Sequence, residues 1–585
     1  MTARLRTALV AFAATAIVAA VYWPVHDAAL VWDDRFYLYD RAWLREGNQW
    51  LAIALHGFAD WTNYFRPLGI ALFTAEVRLF DTAAAPMHFV SLALHLANTL
   101  LVGMLGARML GDVPRAPVFR AAAMLVYGLH PALVEPVAWI SSQFDLLTAL
   151  FTLLGMLANL SIANRWARAV AVAICFFCAA CAKEAAAAFV PILFVVDWMR
   201  SDIDATGTRA RLRRLAELQW PVYAASSAAG VAYLAFRHAG LGYLVSGAAA
   251  SAPSFVVWFQ TMCYTYLAYA KLLVWPMAGL APMHLVATER FAAFDAESCA
   301  IDAAALVLAA ATVFLFGRRK ALGGLLAGFS AGLLPVLHIL PIGFDESVFH
   351  ERYATTAIAI ACAFLPLASA AALRTRRSAG YAAFGAACWI ALSIVNIRVT
   401  LPLWADEVRL WTWALQRNPG AVLAEDALLS TYVERNDIAH ARPLADALLH
   451  DGLSCVKCML NVAFLAILTR DKDRAAQALN AAGRSMPSAP PRTLVMGFLL
   501  ASGNLAELNG RPDEAAQAYA AAIARDPQSP EARMNLALLQ ARRGDLEEAR
   551  RNEAIALSLS TPDAAARRQA EFEAALAEPK TPPPE

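Results

Sequence analysis

The sequence predicts an all-α protein in which a polytopic membrane domain is followed by an α-solenoid of short helical repeats. Of its 585 residues, 59% are hydrophobic and only 16% are charged, and the mean hydropathy is +0.48. Soluble domains carry about 25% charged residues, so this composition indicates a membrane protein. Long apolar runs fill residues 1–400, whereas residues 401–570 are rich in alanine and charge, and residues 571–585 end in a proline-rich, disorder-prone tail.

The net charge is close to zero, at +2, and the soluble part contains no basic tract. Nucleic-acid-binding domains carry a concentrated positive charge. The sequence therefore predicts no nucleic-acid partner.

The apolar runs predict about eleven membrane crossings, because a helix needs about 20 apolar residues to span the hydrocarbon core. The first run follows the basic start MTARLR, and an uncleaved first helix is preferred to a secretory signal peptide. The predicted spans are 7–25, 88–107, 117–133, 143–164, 167–182, 185–199, 219–237, 300–317, 321–341, 352–373 and 380–398.

The distribution of arginine and lysine orients these spans, since basic residues favour cytoplasmic loops. All the basic clusters fall on one side if the stretches 67–80 and 254–278 do not cross the membrane. This topology puts the N-terminus in the cytoplasm and the solenoid outside. The clusters predicted to be cytoplasmic are Arg4 and Arg6; Arg108, Arg115 and Arg120; Arg165 and Arg168; residues 200–214; Arg318 to Lys320; and Arg374, Arg376 and Arg377.

An acidic pair, Asp33-Asp34, follows the first span directly, and the predicted topology places it outside. Other ionisable residues at helix ends fall on the same side, where charges are rare unless they line a cavity. One outward-facing polar site explains them together, and isolated helix-end charges remain the alternative. The group comprises Arg66, His130, Glu135, Asp145, Lys183, Glu184, Glu351 and Arg352.

Small residues recur every 34 positions near the C-terminus, as in Gly510 and Gly544 or Ala515 and Ala549. This is the tetratricopeptide repeat (TPR) period, and such repeats stack into one continuous core. Weaker units precede them in WTWALQRNPG, NDIAHARPLADALLHDG and DKDRAAQALNAAGRSMPSAP. Within this region Cys455 and Cys458 form a CxxC without a second pair for zinc, so a local disulfide and simple helix packing both stay open.

Six segments, in order and followed by the repeats, resemble the transmembrane and TPR-repeat-containing O-mannosyltransferases and their bacterial relatives. The resemblance covers nearly the whole chain. The segments are ALVWDDRFYLYD, YFRPLG, LHPALVEPVAWISSQFDLL, AKEAAAAFVPILFVVDW, LHILPIGFDESVFHERYA and LWADEVRLW.

The resemblance implies a GT-C glycosyltransferase, a multi-pass enzyme that takes a sugar from a dolichyl or undecaprenyl phosphate. Asp33 or Asp34 would be the general base on an acceptor hydroxyl. Arg66, Lys183, Arg352 and His130 would bind the donor phosphate. Glu135, Asp145, Glu184 and Glu351 would orient these groups or bind the acceptor.

One departure from the family pattern concerns the donor. The family often has a basic residue just before the acidic one in its second external motif, whereas this chain has Gln143-Phe144-Asp145. The identity of the transferred sugar is therefore left open. No metal ligand set is predicted, although an acidic pair is able to hold a divalent ion.

The expected setting is a bacterial inner membrane, with a periplasmic TPR domain that docks a protein or glycan acceptor. Two alternatives stay open: a non-enzymatic scaffold that displays TPR units to envelope proteins, and a ligase that moves a lipid-linked oligosaccharide. Single residues also have structural alternatives to a functional role. Arg66 and Arg352 are able to serve as headgroup anchors, and Lys183-Glu184 as a paired helix end.

Overall fold

A computed structural model describes residues 3–38, 49–56, 64–111, 116–200, 207–244, 253–286, 288–339, 347–373, 375–451, 454–488, 490–560 and 562–577. In these residues the fold is all-helical and contains no named strand, which confirms the predicted fold class. Arg115, Arg374 and residues 578–585 of the predicted tail lie outside the described ranges.

The N-terminal part contains sixteen α-helices in the described ranges, several of them long and apolar. They are α1 Ala3–Tyr22, α2 Asp33–Leu38, α3 Gln49–His56, α4 Pro67–Phe80, α5 Ala84–Leu110, α6 Ala116–Gly128, α7 Val134–Ala138, α8 Gln143–Ser161, α9 Arg165–Ala182, α10 Phe189–Met199, α11 Thr208–Leu241, α12 Phe255–Val274, α13 Ala296–Gly317, α14 Ala321–Leu333, α15 Thr355–Ala372 and α16 Arg376–Thr400.

Seven stretches of the described chain are long and apolar enough to cross a membrane, and an eighth crosses if the bent pair α6 and Pro131–Ala138 is one span. Each of the eleven predicted spans coincides with a helix, but α10 has only 11 residues and α14 only 13. At 1.5 Å per residue neither alone reaches across a core about 30 Å thick. Several apolar helices could therefore span a membrane, which is consistent with a multi-pass protein, and the number eleven stays a prediction.

The two least buried spans, α13 and α16, expose large apolar side chains along their length. Val313, Phe314, Phe384 and Val399 are each more than half exposed. Such a continuous apolar surface is what a hydrocarbon environment covers. By contrast, α15 is buried among its neighbours because Gly332 of α14 lets the two backbones meet; a Cβ there would lie 2.6 Å from Ala357 Cα.

The C-terminal part is a series of antiparallel helix pairs. Its helices are α17 Glu407–Arg417, α18 Val422–Glu434, α19 Ile438–Asp451, α20 Val456–Leu468, α21 Lys472–Ser485, α22 Arg492–Leu508, α23 Pro512–Arg525, α24 Pro530–Arg543, α25 Leu546–Ser558 and α26 Pro562–Ala577. Cys455 and Cys458 form a disulfide at the start of α20, so of the two alternatives left open by the sequence, a local disulfide and simple helix packing, the structure has the disulfide.

The 34-residue period corresponds to one helix pair, α22–α23 and then α24–α25. The small residues that define the period, Ala515, Ala522, Ala549 and Ala556, are all fully buried where the helices approach. The last helix, α26, includes residues 571–577, which the sequence analysis assigned to the disorder-prone tail. It is ordered because Phe572, only 1% exposed, packs into the apolar cluster between α24 and α25.

The two parts share one core rather than meeting at a flexible linker. After α16 a single 3₁₀ turn, Leu401–Trp404, leads into α17. Trp404, Trp411 and Leu428 belong to the same buried cluster as the membrane helices. The backbone N–H of Ala29 also donates to the carbonyl of Ala405 at 2.9 Å. The first solenoid helices are therefore built onto the end of the helix bundle.

Close packing inside the solenoid generates a first prediction. A Cβ on Gly503 of α22 would lie 2.4 Å from the buried Tyr519 ring of α23, whereas one on Gly483 would meet the Phe498 ring at an ordinary 3.7 Å. We expect Gly503→Ala to lower the free energy of unfolding by about 1–3 kcal/mol through overpacking. Gly483→Ala, the matched control, should be neutral or stabilise by about 0.5–1 kcal/mol.

The measurement is thermal unfolding of the purified full-length variants in detergent. Equal melting temperatures for Gly503→Ala and Gly483→Ala would contradict the proposed contact between α22 and α23.

Candidate functional site

The two aspartates of the acidic pair have different surroundings. Asp34 is fully buried, and its Oδ1 accepts hydrogen bonds from the Ser141 backbone N–H and hydroxyl, both at 2.6 Å, while Oδ2 accepts from the Val31 N–H at 3.2 Å. Asp33 is partly exposed, and no described residue donates a hydrogen bond to it. Asp34 therefore anchors the loop, whereas the Asp33 carboxylate accepts no hydrogen bond from the described residues.

Electrostatics separate the pair further. Burial raises the pKa of Asp34 to about 7 against the opposing hydrogen bonds from Ser141 and Val31, and the neighbouring charge of Asp33 adds to the rise. Burial also raises the pKa of Asp33, while the cations of Arg352, Lys457 and Arg66 lower it. Two opposing effects therefore act on the pKa of Asp33: desolvation raises it, and three positive charges lower it.

The backbone turn that separates the two aspartates from α1 is held by the solenoid. Trp32 has a φ of 55°, a left-handed conformation that costs a residue with a side chain roughly 1–2 kcal/mol. Its N–H donates to Glu407 Oε1 at 2.7 Å, and Trp411 Nε1 donates to Glu407 Oε2 at 2.5 Å. The Trp32 ring stacks on Trp139 with centroids 4.7 Å apart. These contacts offset the strained turn and fix the direction in which Asp33 points.

The first of three cations, Arg66, precedes α4 and forms a two-pronged ion pair with Glu184. Its Nε and Nη2 lie 3.2 and 2.9 Å from Glu184 Oε2, and its guanidinium covers the Tyr64 ring at 3.9 Å. Arg237, from the last turn of α11, approaches the same carboxylate at 3.8 Å. Arg66 keeps the pKa of Glu184 below its usual value despite burial.

The second cation, Lys183, ends α9 and is buried. Its Nζ donates to both oxygens of Asp145, at 2.8 and 2.7 Å, and the Ser142 hydroxyl donates to the same carboxylate at 3.1 Å. Burial lowers the pKa of Lys183 to about 8, an effect that Asp145 opposes. The ammonium also lies 4.8 Å from the centre of the Tyr353 ring.

The third cation, Arg352, sits in the 3₁₀ turn before α15 and is paired with Glu135. Its guanidinium Nη1 donates to Glu135 Oε1, and its backbone N–H donates to Oε2 at 2.8 Å. The guanidinium lies over aromatic rings on two sides, 4.6 Å from Trp139 and 5.6 Å from Trp32. Arg352 therefore connects the second external motif with the acidic loop.

Six of the predicted charged residues thus form three pairs at the end of the bundle that carries Asp33. The remaining two have different partners. Glu351 Oε1 is bound by His284 Nε2 at 2.9 Å and by the Ala281 N–H at 3.1 Å. His130 is fully buried with its Nε2 3.3 Å from the Leu273 carbonyl, and within the described chain no hydrogen bond or ion pair joins it to the three cations.

Several residues at the site were not predicted. Lys457 of the solenoid lowers the pKa of Asp33 by its positive charge and forms an ion pair with Asp426 at 3.2 Å. No local sequence pattern links Lys457 to a loop more than 400 residues earlier. Arg237 had a usable signal, since it is an arginine at the end of an apolar run on the predicted outer side. Gln143, the departure from the family pattern, donates to the buried Glu76 at 2.9 Å and so performs a structural task.

A groove adjoins this end of the bundle. It has a volume of about 520 Å³ between α12 and α13. Its walls are mainly apolar, and Lys271 and His284 are its basic groups; His284 is the residue that binds Glu351. In the described part of the chain no three His, Cys, Asp or Glu side chains are arranged to hold a metal ion.

Comparison with known proteins identifies the solenoid only. Residues 500–564 match the tetratricopeptide repeat family, which confirms the repeat type read from the 34-residue period. No curated protein is similar enough to this chain to count as a relative. The chemistry of the membrane domain therefore has to be argued from its own residues.

The anchoring role of Asp34 is testable by stability. Asp34→Ala leaves the Ser141 N–H, the Ser141 hydroxyl and the Val31 N–H without their acceptor, so we expect a loss of about 3 kcal/mol or more. Because the pKa of Asp34 is raised from 3.8 to about 7 in the fold, its contribution is complete below about pH 4 and is lost progressively as the pH rises from there through 7. Thermal unfolding from about pH 4 to 8 should show the two proteins converging. A constant difference would contradict the raised pKa.

The junction with the solenoid gives a second stability test. Glu407→Ala removes the acceptor of the Trp32 N–H and of the Trp411 indole, and we expect a loss of about 2–4 kcal/mol. Glu547→Ala, at an exposed carboxylate of α25, should change stability by less than about 0.5 kcal/mol. Unfolding of both variants by guanidinium measures the difference, and equal midpoints would argue against the junction as described.

Proposed function

We propose that this chain is a GT-C-type membrane glycosyltransferase that moves a sugar from a polyprenyl phosphate to a hydroxyl acceptor. The acceptor would be a protein Ser or Thr in an O-mannosylation-like reaction, on the extracytoplasmic face of a bacterial inner membrane. The observation that carries the proposal is Asp33, a partly exposed carboxylate to which no described residue donates a hydrogen bond. It lies at the end of the helix bundle that also carries the cations Arg66, Lys183 and Arg352, whose side chains are at most 12% exposed.

Asp33 has the properties of a general base for a hydroxyl. A hydroxyl of high pKa needs a positioned carboxylate to take its proton as it attacks the sugar carbon. Burial raises the pKa of Asp33, which makes its carboxylate a stronger proton acceptor, and the positive charges of Arg352, Lys457 and Arg66 oppose that rise. Asp34, whose oxygens are occupied by Ser141 and Val31, is assigned the positioning role.

The leaving group of this reaction is a lipid phosphate, whose negative charge needs cationic donors in a water-poor site. Arg66, Lys183 and Arg352 are held by Glu184, Asp145 and Glu135 with their stems buried, so their heads are oriented before any ligand arrives. We assign phosphate binding to these three cations. The paired carboxylates orient them.

The carrier lipid also needs an apolar path next to the cations. The groove between α12 and α13 provides apolar walls, and His284 lies at its basic end. His284 binds Glu351, the residue that precedes Arg352 in the chain. Helix α12 lies within the stretch 254–278, which does not cross the membrane in the predicted topology. We assign the carrier tail to this groove.

The solenoid is positioned to act on the acceptor side. Glu407 accepts a hydrogen bond from the Trp32 N–H, and the charge of Lys457, in the first turn of α20, opposes the rise in the pKa of Asp33. TPR arrays present surfaces for protein segments. We assign acceptor docking to the solenoid, with the N-terminus of the chain cytoplasmic and the solenoid periplasmic, as the arginine distribution predicts.

The test is the substitution Asp33→Asn in the full-length protein. We expect sugar transfer to fall by at least about 100-fold, the contribution typical of general base catalysis. The melting temperature should stay unchanged, since no described residue depends on the Asp33 carboxylate. Asp27→Asn, at an exposed carboxylate of the same loop, is the matched control and should keep full activity.

The readout is transfer of radiolabelled sugar from polyprenyl-phosphate sugars to envelope proteins and glycans of a deletion strain carrying each variant. Full transfer by Asp33→Asn would refute the assigned base. An unchanged glycan profile in the deletion strain itself would favour the scaffold, and loss of whole oligosaccharides would favour the ligase.

A further inference from the structure

A second cavity lies at the opposite end of the membrane bundle from Asp33. It has a volume of about 500 Å³ and is enclosed by α5, α6 and α8. Its polar lining comes from Arg108, Arg120 and Ser161, and its apolar lining includes Met104 and Leu157. No role in the proposed sugar transfer uses this cavity.

The helices themselves place the cavity far from the acidic loop. Asp145, at the start of α8, binds Lys183 of the candidate site, and Ser161 ends the same helix. Sixteen residues at 1.5 Å each separate them by roughly 24 Å along the axis. Helix α8 is one of the candidate membrane spans. The two sites therefore lie at opposite ends of the span.

The two arginines differ from those of the candidate site because no counter-ion for them is found among the described residues. Neither Arg108 nor Arg120 makes an ion pair or hydrogen bond in the described part of the chain, and the buried Arg120 Nε has no acceptor. Arg66 and Arg352, at the other end, are both paired with glutamates. A buried guanidinium N–H without a partner is costly, and two unpaired cations around one cavity repel each other.

Helix capping does not account for this arrangement. Arginine side chains often donate to carbonyls at a helix C-terminus, as Arg168 of α9 does at 3.2 Å to the carbonyl of Ile162, the residue that follows α8. Arg108 and Arg120 make no such bond in the described chain. The Arg120 stem is instead packed against α5, since a Cβ on Gly103 would lie 3.3 Å from its Cγ. The side chain is held against the cavity wall.

The group that completes this cavity must bring several acceptor oxygens and tolerate apolar surroundings. A phosphate with its negative charge suits a pair of guanidinium forks and a serine hydroxyl. The apolar lining and the position between ends of membrane spans favour a phosphate attached to acyl chains over one free in solution. Basic cavities between membrane helices bind anionic lipid headgroups in this way.

We propose that Arg108, Arg120 and Ser161 form a binding site for the headgroup of an anionic phospholipid, at the membrane face opposite the candidate catalytic site. This site is independent of the proposed sugar transfer. It stabilises the packing of α5, α6 and α8 by supplying the counter-charge that no described residue supplies to Arg108 and Arg120.

The experiment uses the purified full-length protein in a neutral detergent, titrated with phosphatidylglycerol, with phosphatidylcholine and with inorganic phosphate. Thermal unfolding and native mass spectrometry measure binding. The test variant is Arg108→Gln/Arg120→Gln. The matched control is Arg376→Gln/Arg377→Gln, which removes two exposed charges at the start of α16, away from the cavity.

We expect phosphatidylglycerol to raise the melting temperature and to be retained by the wild type and the control. The test variant should bind it at least about tenfold more weakly, because charge-assisted hydrogen bonds are lost. Arg108→Gln alone, at an exposed side chain, serves if the double variant fails to fold, and it should also weaken binding.

Three results would overturn the proposal. They are equal binding by test variant and wild type, equal loss in the Arg376/Arg377 control, and stabilisation by phosphatidylcholine or inorganic phosphate at the same concentrations. The last two would show general charge attraction or a free-anion site.

Discussion

The burial of Asp34 is the constraint on which the rest of this end of the molecule depends. A carboxylate without a cation beside it is stable in such surroundings only if donors surround its oxygens. The Ser141 N–H, the Ser141 hydroxyl and the Val31 N–H do this, and they tie the first loop to the start of α8. With Asp34 fixed, the preceding residues face two other directions: Trp32 toward the solenoid and Asp33 toward the cations.

The sequence was sufficient for the parts of this arrangement that depend on local chemistry. Apolar run lengths predicted the helices, and the 34-residue spacing predicted the repeats. The acidic pair and the charged helix ends Arg66, Lys183 and Arg352 were identified by residue type. The difference in hydrogen bonding between Asp33 and Asp34 could not be predicted from the sequence, because it depends on Ser141, which lies 107 residues from Asp34 in the chain. Lys457 was missed for the same reason, and α10 and α14 were expected to be longer than they are.

The arginines at the two ends of the bundle differ in whether a described carboxylate is paired with them. At the Asp33 end each cation has a carboxylate partner from another element, so the ion pairs also bind helices together. At the far end Arg108 and Arg120 have apolar neighbours and no partner in the described chain. Positive residues near membrane ends are often grouped under one orientation rule. Here the partners distinguish cations paired with carboxylates from cations without a partner among the described residues, to which we assign lipid binding.

In the proposed sugar transfer, the three ion pairs would have a consequence for turnover. A phosphate that reached Arg66, Lys183 or Arg352 would have to share these cations with Glu184, Asp145 and Glu135, which already accept hydrogen bonds from them. Because the carboxylates would compete for the cations throughout, the bound anion would have a short residence time. Spent carrier would then leave as readily as fresh carrier arrives, and no water or salt would have to enter to neutralise the site.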